Sequence, residues 1–509
     1  MGEELEQTWG TRLQRTRADI TAALVNAFAQ PAVRRGMVGS ALIAVGSITP
    51  AFLPENSPWW EILGGVQQFW LAKVLGTLAA LAGVALIMQA WMQLRPRRGA
   101  PMIGFRAVLV LWSFPMLLAP PVFSHDAYAY AAEGEMIHQG INPYEMPVAM
   151  MPGRWADQVV ETWRFTRAPY GPLALQLNHL VVNLFGHSPY WSASVGMRLL
   201  AITGVVAVAV TVPSLARRLR VDPRLALWFG IVNPLTITHL IGGAHNDAIM
   251  IGFVALALFV ASRGRFLAGC ALVAAGAAVK IPAILAIVPV ALLALPVLTP
   301  AASAWRRFWQ GVWRVFLGTV LASIMFVFID LGCGLGWGWI EALNVPGMVF
   351  TMAPSTMIGD ALRQAMYLLG YVEGAQGVTR VVRMIGIAIG ALVIVALYIR
   401  YTPRRPMHFL PVAFLALALG SPALHPWYFS WVLVFLAFVH PSVFVTRVTA
   451  WASILLLAYS SINFAIRNES FALAGAGLLA FAWVLWGQDR RQFRREASEE
   501  MAEGTADVA

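Results

Sequence analysis

The sequence predicts an all-α polytopic membrane protein. Three observations carry this prediction: the apolar composition, the spacing of the apolar segments and the positions of arginine. Of the 509 residues, 59% are hydrophobic and 12% are charged, whereas soluble domains carry about 25% charged residues. A soluble fold could not bury that much apolar surface. The 20 Trp and 27 Phe residues fit a chain with aromatic belts at two membrane interfaces.

The apolar segments predict about fourteen transmembrane helices. About 20 apolar residues cross a bilayer, and fewer are needed where a helix is short. The predicted spans are 36–53, 69–93, 103–120, 194–214, 224–240, 247–261, 266–279, 282–298, 311–330, 379–399, 409–420, 427–439, 448–465 and 471–487. The first and last predicted spans divide the chain into three parts. These are an N-terminal amphipathic segment over 1–33, a transmembrane domain over 34–487 with the long loops 121–193 and 331–378, and a basic tail over 488–509.

Short arginine runs recur after every second predicted span. By the positive-inside rule they mark the cytoplasmic side, which predicts a multi-pass plasma-membrane protein with both termini in the cytoplasm. The formal charge of +11 is explained by these runs, so we expect membrane lipids and no nucleic acid as partners. The runs are Arg34-Arg35, Arg95 to Arg98, Arg217-Arg218, Arg263 to Arg265, Arg306-Arg307, Arg404-Arg405, Arg447 and Arg490 to Arg495.

Two long loops then lie on the outer face, 121–193 and 331–378. Long loops are usually functional or disordered. These contain several tryptophans and Pro-Gly turns, which favours short helices lying at the interface. The two cysteines, Cys270 and Cys333, are predicted at opposite membrane faces and therefore unable to form a disulfide.

Asp126 begins the most polar part of the first long loop. A carboxylate that close to the end of an apolar segment is costly unless it faces water or a cavity, which makes it a functional candidate. The alternative is that Asp126 merely caps an interfacial helix.

Four further features fall on the same predicted face. His245, Asn246 and Asp247 open a helix after two glycines, a position where helix capping is the alternative explanation. Lys280 is one of only two lysines and sits at a turn between apolar helices, where snorkelling is the alternative. The other two features are the segment Ser421 to Tyr428, with His425, and the proline-flanked pair Arg167 and Tyr170.

This set of residues fits sugar transfer from a lipid-linked sugar phosphate. The outer face has no nucleotide pool, so an activated donor must arrive in the membrane. Asp126 would accept the proton of the acceptor hydroxyl as general base. Lys280, Arg167, His245 and His425 would bind the donor phosphate, where charge develops. A single carboxylate implies inversion, while Glu133, seven residues after Asp126, keeps a retaining mechanism open.

Several motifs resemble those of a known group of enzymes. His125-Asp-Ala-Tyr-Ala-Tyr130, Gly140-Ile-Asn-Pro-Tyr144, Ala168-Pro-Tyr-Gly-Pro-Leu173 and Gly243-Ala-His-Asn-Asp247 resemble the GT-C glycosyltransferases. Within that superfamily they are similar to the actinobacterial polyprenyl-phosphomannose-dependent α-1,6-mannosyltransferases, which extend the mannan backbone of lipomannan and lipoarabinomannan. The resemblance covers roughly residues 30–490.

The resemblance implies a GT-C fold, a polyprenyl-phosphate-mannose donor, a lipid-anchored mannan acceptor and α-1,6 linkages made outside the cytoplasm. It also implies that Asp126 is the catalytic base. Its neighbour here is His125 where the superfamily often has a second acid, a departure that bears on metal binding. Because basic residues could replace a metal at a monophosphate leaving group, we expect no required metal or other cofactor. The residues expected to bind sugar or acceptor are His125, Tyr128, Tyr130, Asn142, Tyr144, Tyr170, Asn246, Asp247, Trp427 and Tyr428.

Two alternatives remain open at this point. A glucose or arabinofuranose donor would need similar phosphate chemistry. A transporter or flippase for a lipid-linked sugar would also need many apolar helices, although such proteins commonly show two similar halves, and no such repeat is visible in this sequence.

Overall fold

The structure, a computed structural model, is helical throughout its regular elements. It describes residues 16–54, 57–96, 103–295, 303–345, 351–402 and 404–470, with a few single positions between 472 and 487. Within these residues there is no β-strand, which confirms the all-α prediction. The predicted N-terminal segment is described only from residue 16, and 16–28 are helical. The basic tail over 488–509 lies outside the described residues.

Sixteen helices, which we number in chain order, organise the described residues. They are α1 (Pro31–Gly46), α2 (Trp70–Gln93), α3 (Phe105–Ser113), α4 (Asp126–His138), α5 (Pro172–Leu184), α6 (Met197–Arg218), α7 (Pro223–Gly230), α8 (Asp247–Ala261), α9 (Phe266–Val279), α10 (Ile287–Ala294), α11 (Ala304–Cys333), α12 (Pro354–Leu368), α13 (Val372–Tyr401), α14 (Pro406–Gly420), α15 (Phe429–Leu436) and α16 (Val443–Arg467).

Further helical pieces lie between them. They are Pro58–Gln67, Arg154–Asp157, Glu161–Arg164, Pro189–Trp191 and Trp339–Ala342, with 3₁₀ turns at Phe114–Met116, Val148–Met150, Ile281–Ala286, Pro426–Tyr428 and Ala437–Val439 and π-helical turns at Ser192–Gly196 and Thr236–Gly242. Helices therefore occur within both predicted outer loops, as the sequence indicates.

Five helices of the described residues are long and apolar enough to cross a membrane. They contain α2, α6, α11, α13 and α16, and a sixth span results if the bent pair Thr236–Gly242 and α8 is counted as one. The remaining apolar helices have 10–17 residues. The prediction of about fourteen spans is not confirmed, and most of the predicted span 471–487 lies outside the described residues.

Breaks in the apolar segments account for this difference. The predicted span 224–240 is divided into α7 and the π-helical turn Thr236–Gly242. That turn meets α8 at an angle of 108°. The predicted span 103–120 is helical only from Phe105 to Met116. Hydropathy alone does not register such breaks, because the broken segments remain apolar throughout.

Close helix contacts fix the core around the breaks. Gly252 of α8 lies against Gly204 of α6, so that a Cβ added at Gly252 would lie 2.8 Å from the Cα of Gly204. Trp91 of α2 and Trp228 of α7 stack at 4.3 Å. Each indole N–H donates to the other residue's carbonyl, at 3.0 and 2.9 Å. Small residues at helix crossings and satisfied polar atoms are what membrane helices require.

The two long loops contact each other. Asn142 donates from Nδ2 to the carbonyl of Leu335 at 3.0 Å, and Gly338 lies against the ring of Tyr144. The phenol of Tyr144 donates to the carbonyl of Tyr170 at 2.7 Å. These contacts fix the first loop, with α4 and α5, against the start of the second.

Candidate functional site

Asp126 is the first residue of α4 and is buried, with 7% of its surface exposed. Its Oδ1 accepts a hydrogen bond from the Trp163 indole at 3.1 Å. Its Oδ2 lies 3.5 Å from Nδ1 of His245. The carboxylate therefore joins the first long loop to the segment that precedes α8.

The surroundings of Asp126 make it a stronger base than an ordinary aspartate. Burial raises the pKa of its carboxyl to about 6, although the positive charge of Lys280 acts in the opposite direction. A group with that pKa is largely ionised at pH 7 and still able to accept a proton. No side-chain bond from His125 or Asp126 caps α4, so capping does not explain the position of this carboxylate.

Lys280 and Asp247 form a partly buried ion pair. The lysine Nζ lies 2.9 and 2.8 Å from the two carboxylate oxygens, and Asp247 is fully buried. Trp431 donates its indole N–H to Asp247 Oδ1 at 2.7 Å. Burial by itself would lower the pKa of Lys280, but the carboxylate of Asp247 outweighs it and raises that pKa. The lysine is therefore a cation held at a fixed position, so snorkelling does not describe it.

Aromatic rings stack above and beside this pair. Trp427 lies between two histidines, with ring centroids 3.8 Å from His245 and 4.5 Å from His425. The Lys280 ammonium lies 4.6 Å from the Tyr428 ring and 5.6 Å from the Trp431 ring. Burial, helped by the charge of Lys280, lowers the pKa of His425 to about 3, so this histidine is neutral and offers no positive charge to a phosphate.

An apolar cavity of about 460 Å³ opens beside Lys280. Lys280, Tyr428 and Trp431 form its polar end, while residues of α13 and α14 such as Ile394 and Leu417 line the rest. Tyr170 also lines it. The cavity is thus a largely hydrocarbon-lined space that ends at a cation.

The structure brings together Asp126, His245, Asp247, Lys280, Trp427 and Tyr428, with His425 stacked on Trp427. Asn246 belongs to the same segment. It is 6% exposed, and neither its amide nitrogen nor its amide oxygen has a hydrogen-bond partner. Asn246 makes no capping bond to α8, so helix capping does not explain this residue.

Other predicted residues have structural contacts. Arg167 is exposed and pairs with Glu341 at 3.2 Å, and it is not among the described residues that line the cavity. Tyr128 donates its phenol to the carbonyl of Phe52 at 2.9 Å. His125 packs on the Phe52 ring at 4.9 Å, and Tyr130 packs edge-on against Tyr170 at 4.9 Å. Asn142 and Tyr144 bridge the two long loops.

Three residues of the site are absent from the sequence prediction: Trp163, Trp431 and Arg198. The two tryptophans donate to the two site aspartates, as described above. Arg198 is fully buried and donates to four backbone carbonyls beside the site. An arginine inside a predicted apolar span is itself a signal for function. Arg198 lies near the start of the predicted span 194–214, and this position could have identified it.

Together these features define a polytopic helical membrane protein with a buried carboxylate and ion pair beside an apolar cavity. Comparison with known sequences gives the particular family. Residues 33–296 match the N-terminal domain of the alpha-(1->6)-mannopyranosyltransferase family, and residues 355–486 match the MptB C-terminal domain. The chain belongs to this family of mannosyltransferases.

Relatives with assigned names agree with this assignment. The chain is 28% identical over 424 residues to alpha-(1->6)-mannopyranosyltransferase A of Mycobacterium tuberculosis, covering 79% of this chain and 78% of that one. It is 30% identical over 457 residues to a probable alpha-(1->6)-mannopyranosyltransferase of Mycolicibacterium smegmatis, with 79% and 78% covered. It is 27% identical over 439 residues to alpha-(1->6)-mannopyranosyltransferase B of Corynebacterium glutamicum, with 79% and 72% covered.

Proposed function

We propose that the protein is an inverting GT-C glycosyltransferase that moves mannose from polyprenyl-phosphate-mannose to a lipid-anchored mannan acceptor. The new α-1,6 linkage forms on the extracytoplasmic face of the plasma membrane. The observation that carries the proposal is a buried carboxylate of raised pKa close to a fixed lysine at the polar end of an apolar cavity. The names of the relatives support mannose and the α-1,6 linkage.

Asp126 acts as the general base. As the acceptor hydroxyl attacks the anomeric carbon of the donor, its proton passes to an oxygen of Asp126. The bond between the anomeric carbon and the phosphate oxygen breaks, and polyprenyl phosphate leaves with the electron pair. The Trp163 indole on Oδ1 leaves Oδ2, on the His245 side, as the oxygen that accepts the proton.

Lys280 stabilises the leaving phosphate. A lysine ammonium is a compact point charge suited to a phosphate, and Asp247 with Trp431 holds it in place. The cavity then takes the first isoprene units of the donor, because its walls are apolar and its polar end is the lysine. With that cation in position we expect no requirement for a divalent metal.

The spacing of carboxylates favours inversion. Glu133 lies seven residues after Asp126 in a continuous helix, so their Cα atoms are about 10.5 Å apart along the axis. Retaining glycosidases place their two carboxyls about 5–5.5 Å apart. Burial and the charge of Asp126 also raise the pKa of Glu133 well above its usual range. A Glu133 that is two helical turns away and harder to ionise is a poor nucleophile, so Asp126 acts alone and an α-linked product requires a β-linked donor.

The acceptor sugar would lie against His425, since aromatic faces pack well on sugar rings. His425 is the partly exposed ring of the stack, whereas Trp427 is covered on both faces and His245 is fully buried. The unpartnered amide of Asn246 would bind one of the sugar hydroxyls. Tyr130 and Tyr170 are proposed to complete this surface near the cavity.

Replacement of Asp126 by Asn tests the proposal. The purified protein in detergent is given a defined polyprenyl-phosphate-mannose and a short α-mannoside acceptor. We expect the D126N enzyme to fold normally and to lose at least ~10²-fold in kcat, since general-base catalysis contributes about 10²–10⁴-fold. The anomeric configuration of the wild-type product, read by NMR, should be α from a β-linked donor.

Asp222→Asn is the matched control. Asp222 is a half-exposed N-cap whose oxygen accepts from the Arg224 amide, and asparagine caps a helix equally well. D222N should therefore keep wild-type activity. Full activity of D126N would disprove the assigned base. Strict loss of activity on chelation of divalent ions would overturn the expectation that no metal is required.

A further inference from the structure

Arg198 occupies an unusual position in α6, a helix long and apolar enough to cross the membrane. Its side chain is fully buried. Among the hydrogen bonds of the described residues, none from the Arg198 guanidinium goes to a carboxylate. A charged group in such a place is costly unless its donors are satisfied, so its contacts indicate what it does.

The guanidinium bonds to two chain segments at once. Nη1 and Nη2 donate to the carbonyls of Leu117 and Pro120, at 2.9 and 3.1 Å. Nε and Nη2 donate to the carbonyls of Ile241 and Gly242, at 3.1 and 2.9 Å. The planar fork of arginine suits this arrangement, because it presents several donors in fixed directions.

Both segments are the carboxyl ends of helical elements. The first follows the 3₁₀ turn Phe114–Met116 that ends α3, and the second is the last turn of Thr236–Gly242. Carbonyls at such ends lack intrahelical partners and carry partial negative charge. Three of the four acceptor carbonyls are of this kind, and the fourth, that of Pro120, lies just beyond the first end. Together they replace a counter-ion for Arg198.

The chain turns sharply after each of these ends. Phe123 and Ala244 have φ angles of 60° and 56°, a left-handed conformation that costs a non-glycine residue about 1 kcal/mol or more. The amide of Val122 donates to the carbonyl of Gly242 at 3.0 Å, so the two turns are bonded to each other as well. Asp126 follows the first turn and His245 the second.

We infer that Arg198 is a positioning residue that sets the distance between Asp126 and His245 by tying together the turns that carry them. This inference rests on the proposed role of Asp126 as base. Arg198 makes no hydrogen bond to Asp126 or to His245; its bonds go to backbone carbonyls of the two turns. Its loss would let the two turns separate, and the carboxylate would lose both its orientation and its neighbour.

Arg198→Lys tests the inference, since lysine keeps the charge and loses the fork. We expect kcat to fall about 10²-fold, the usual effect of a displacement near 1 Å in an active site. The donor KM should stay within about twofold, because Lys280 and the cavity are not contacted by Arg198. The acid limb of the pH profile should also move, because the surroundings of Asp126 change. A loss of folding alone would reduce the amount of active enzyme without moving either the pH profile or KM.

Arg106→Lys is the matched control. Arg106 also donates from Nε to a backbone carbonyl of α6, that of Ala209 at 2.9 Å, but this bond does not involve the two turns. R106K should keep the wild-type kcat and pH profile. Arg198→Gln adds a neutral variant, and we expect it to be at least as impaired as R198K.

The outcomes separate the inference from the proposed function. Inactive D126N together with R198K of normal kcat and pH profile would overturn the positioning role and leave the base assigned. Active D126N would overturn the proposed function itself. A rise in the donor KM of R198K with unchanged kcat would also contradict the inference, because it would move Arg198 to the donor site.

Discussion

At the residue scale, the chemistry depends on how Asp126 is kept ionised in a buried place. Burial raises the pKa of its carboxyl to about 6, while Lys280 and the Trp163 indole lower it. The base is active only when deprotonated. We therefore expect kcat/KM to fall about tenfold per pH unit below pH 6, and measurement over pH 4.5–8 would show this acid limb.

Trp163→Phe refines that prediction. The indole N–H stabilises the ionised carboxylate, so its removal raises the pKa of Asp126 and the acid limb should move to higher pH. Trp191→Phe, in the same loop, is the control, because Trp191 packs edge-on against Tyr190 and should leave the profile unchanged. An unchanged profile in W163F would mean that the limb does not report Asp126.

The sequence was sufficient to predict some of these residues and not others. Asp126 and Lys280 stand out locally, since each is a charge beside an apolar segment. Trp163 and Trp431 are 37 and 184 residues away in the chain from Asp126 and Asp247, the aspartates to which they donate. Nothing in a local pattern indicates such pairings. Asp247 is predicted as a sugar ligand, but its oxygens are occupied by Lys280 and Trp431, so we interpret it as the counter-ion of the lysine.

At the element scale, the crossing of α6 and α8 holds two residues of the site in place. Both Arg198 and Asp247 depend on it, because α6 carries the first and α8 begins with the second. The helices touch through Gly204 and Gly252, and a Cβ on Gly204 would overlap the backbone of Ala248. Hydropathy predicts both helices within a few residues, but it cannot show that they cross or that α8 follows a 108° bend.

Gly252→Ala tests this crossing. The added Cβ would lie 2.8 Å from the Gly204 backbone, so the helices must separate. We expect a loss of about 1–3 kcal/mol in stability, the usual cost of overpacking, with a lower Tm in detergent and reduced activity. Gly377→Ala in α13 is the control, since a Cβ there meets nothing within 4 Å and alanine is the better helix former. An unchanged Tm in G252A would show that the crossing is loose.

At the scale of the whole molecule, the site joins two parts that the family comparison also separates. Asp126, His245 and Lys280 come from the region that matches the N-terminal domain, and α13 and α14 come from the region that matches the C-terminal domain. The cavity lies between them, with Lys280 on one side and Ala391 and Leu417 on the other. The proposed base and much of the proposed lipid site thus come from different parts of the chain.

Ala391→Phe tests whether this cavity holds the donor lipid. Ala391 lines it, so a phenyl ring would occupy space proposed for the isoprene units nearest the phosphate. We expect the KM for a long-chain polyprenyl-phosphate-mannose to rise about tenfold, equivalent to ~1.4 kcal/mol of lost packing, with kcat little changed. Leu392→Phe is the control on the next position of α13, because Leu392 is 69% exposed and does not line the cavity. If A391F and L392F show the same donor KM as the wild type, the isoprene chain binds elsewhere. Since Asp126 is untouched in both variants, that result would relocate the lipid without changing the base.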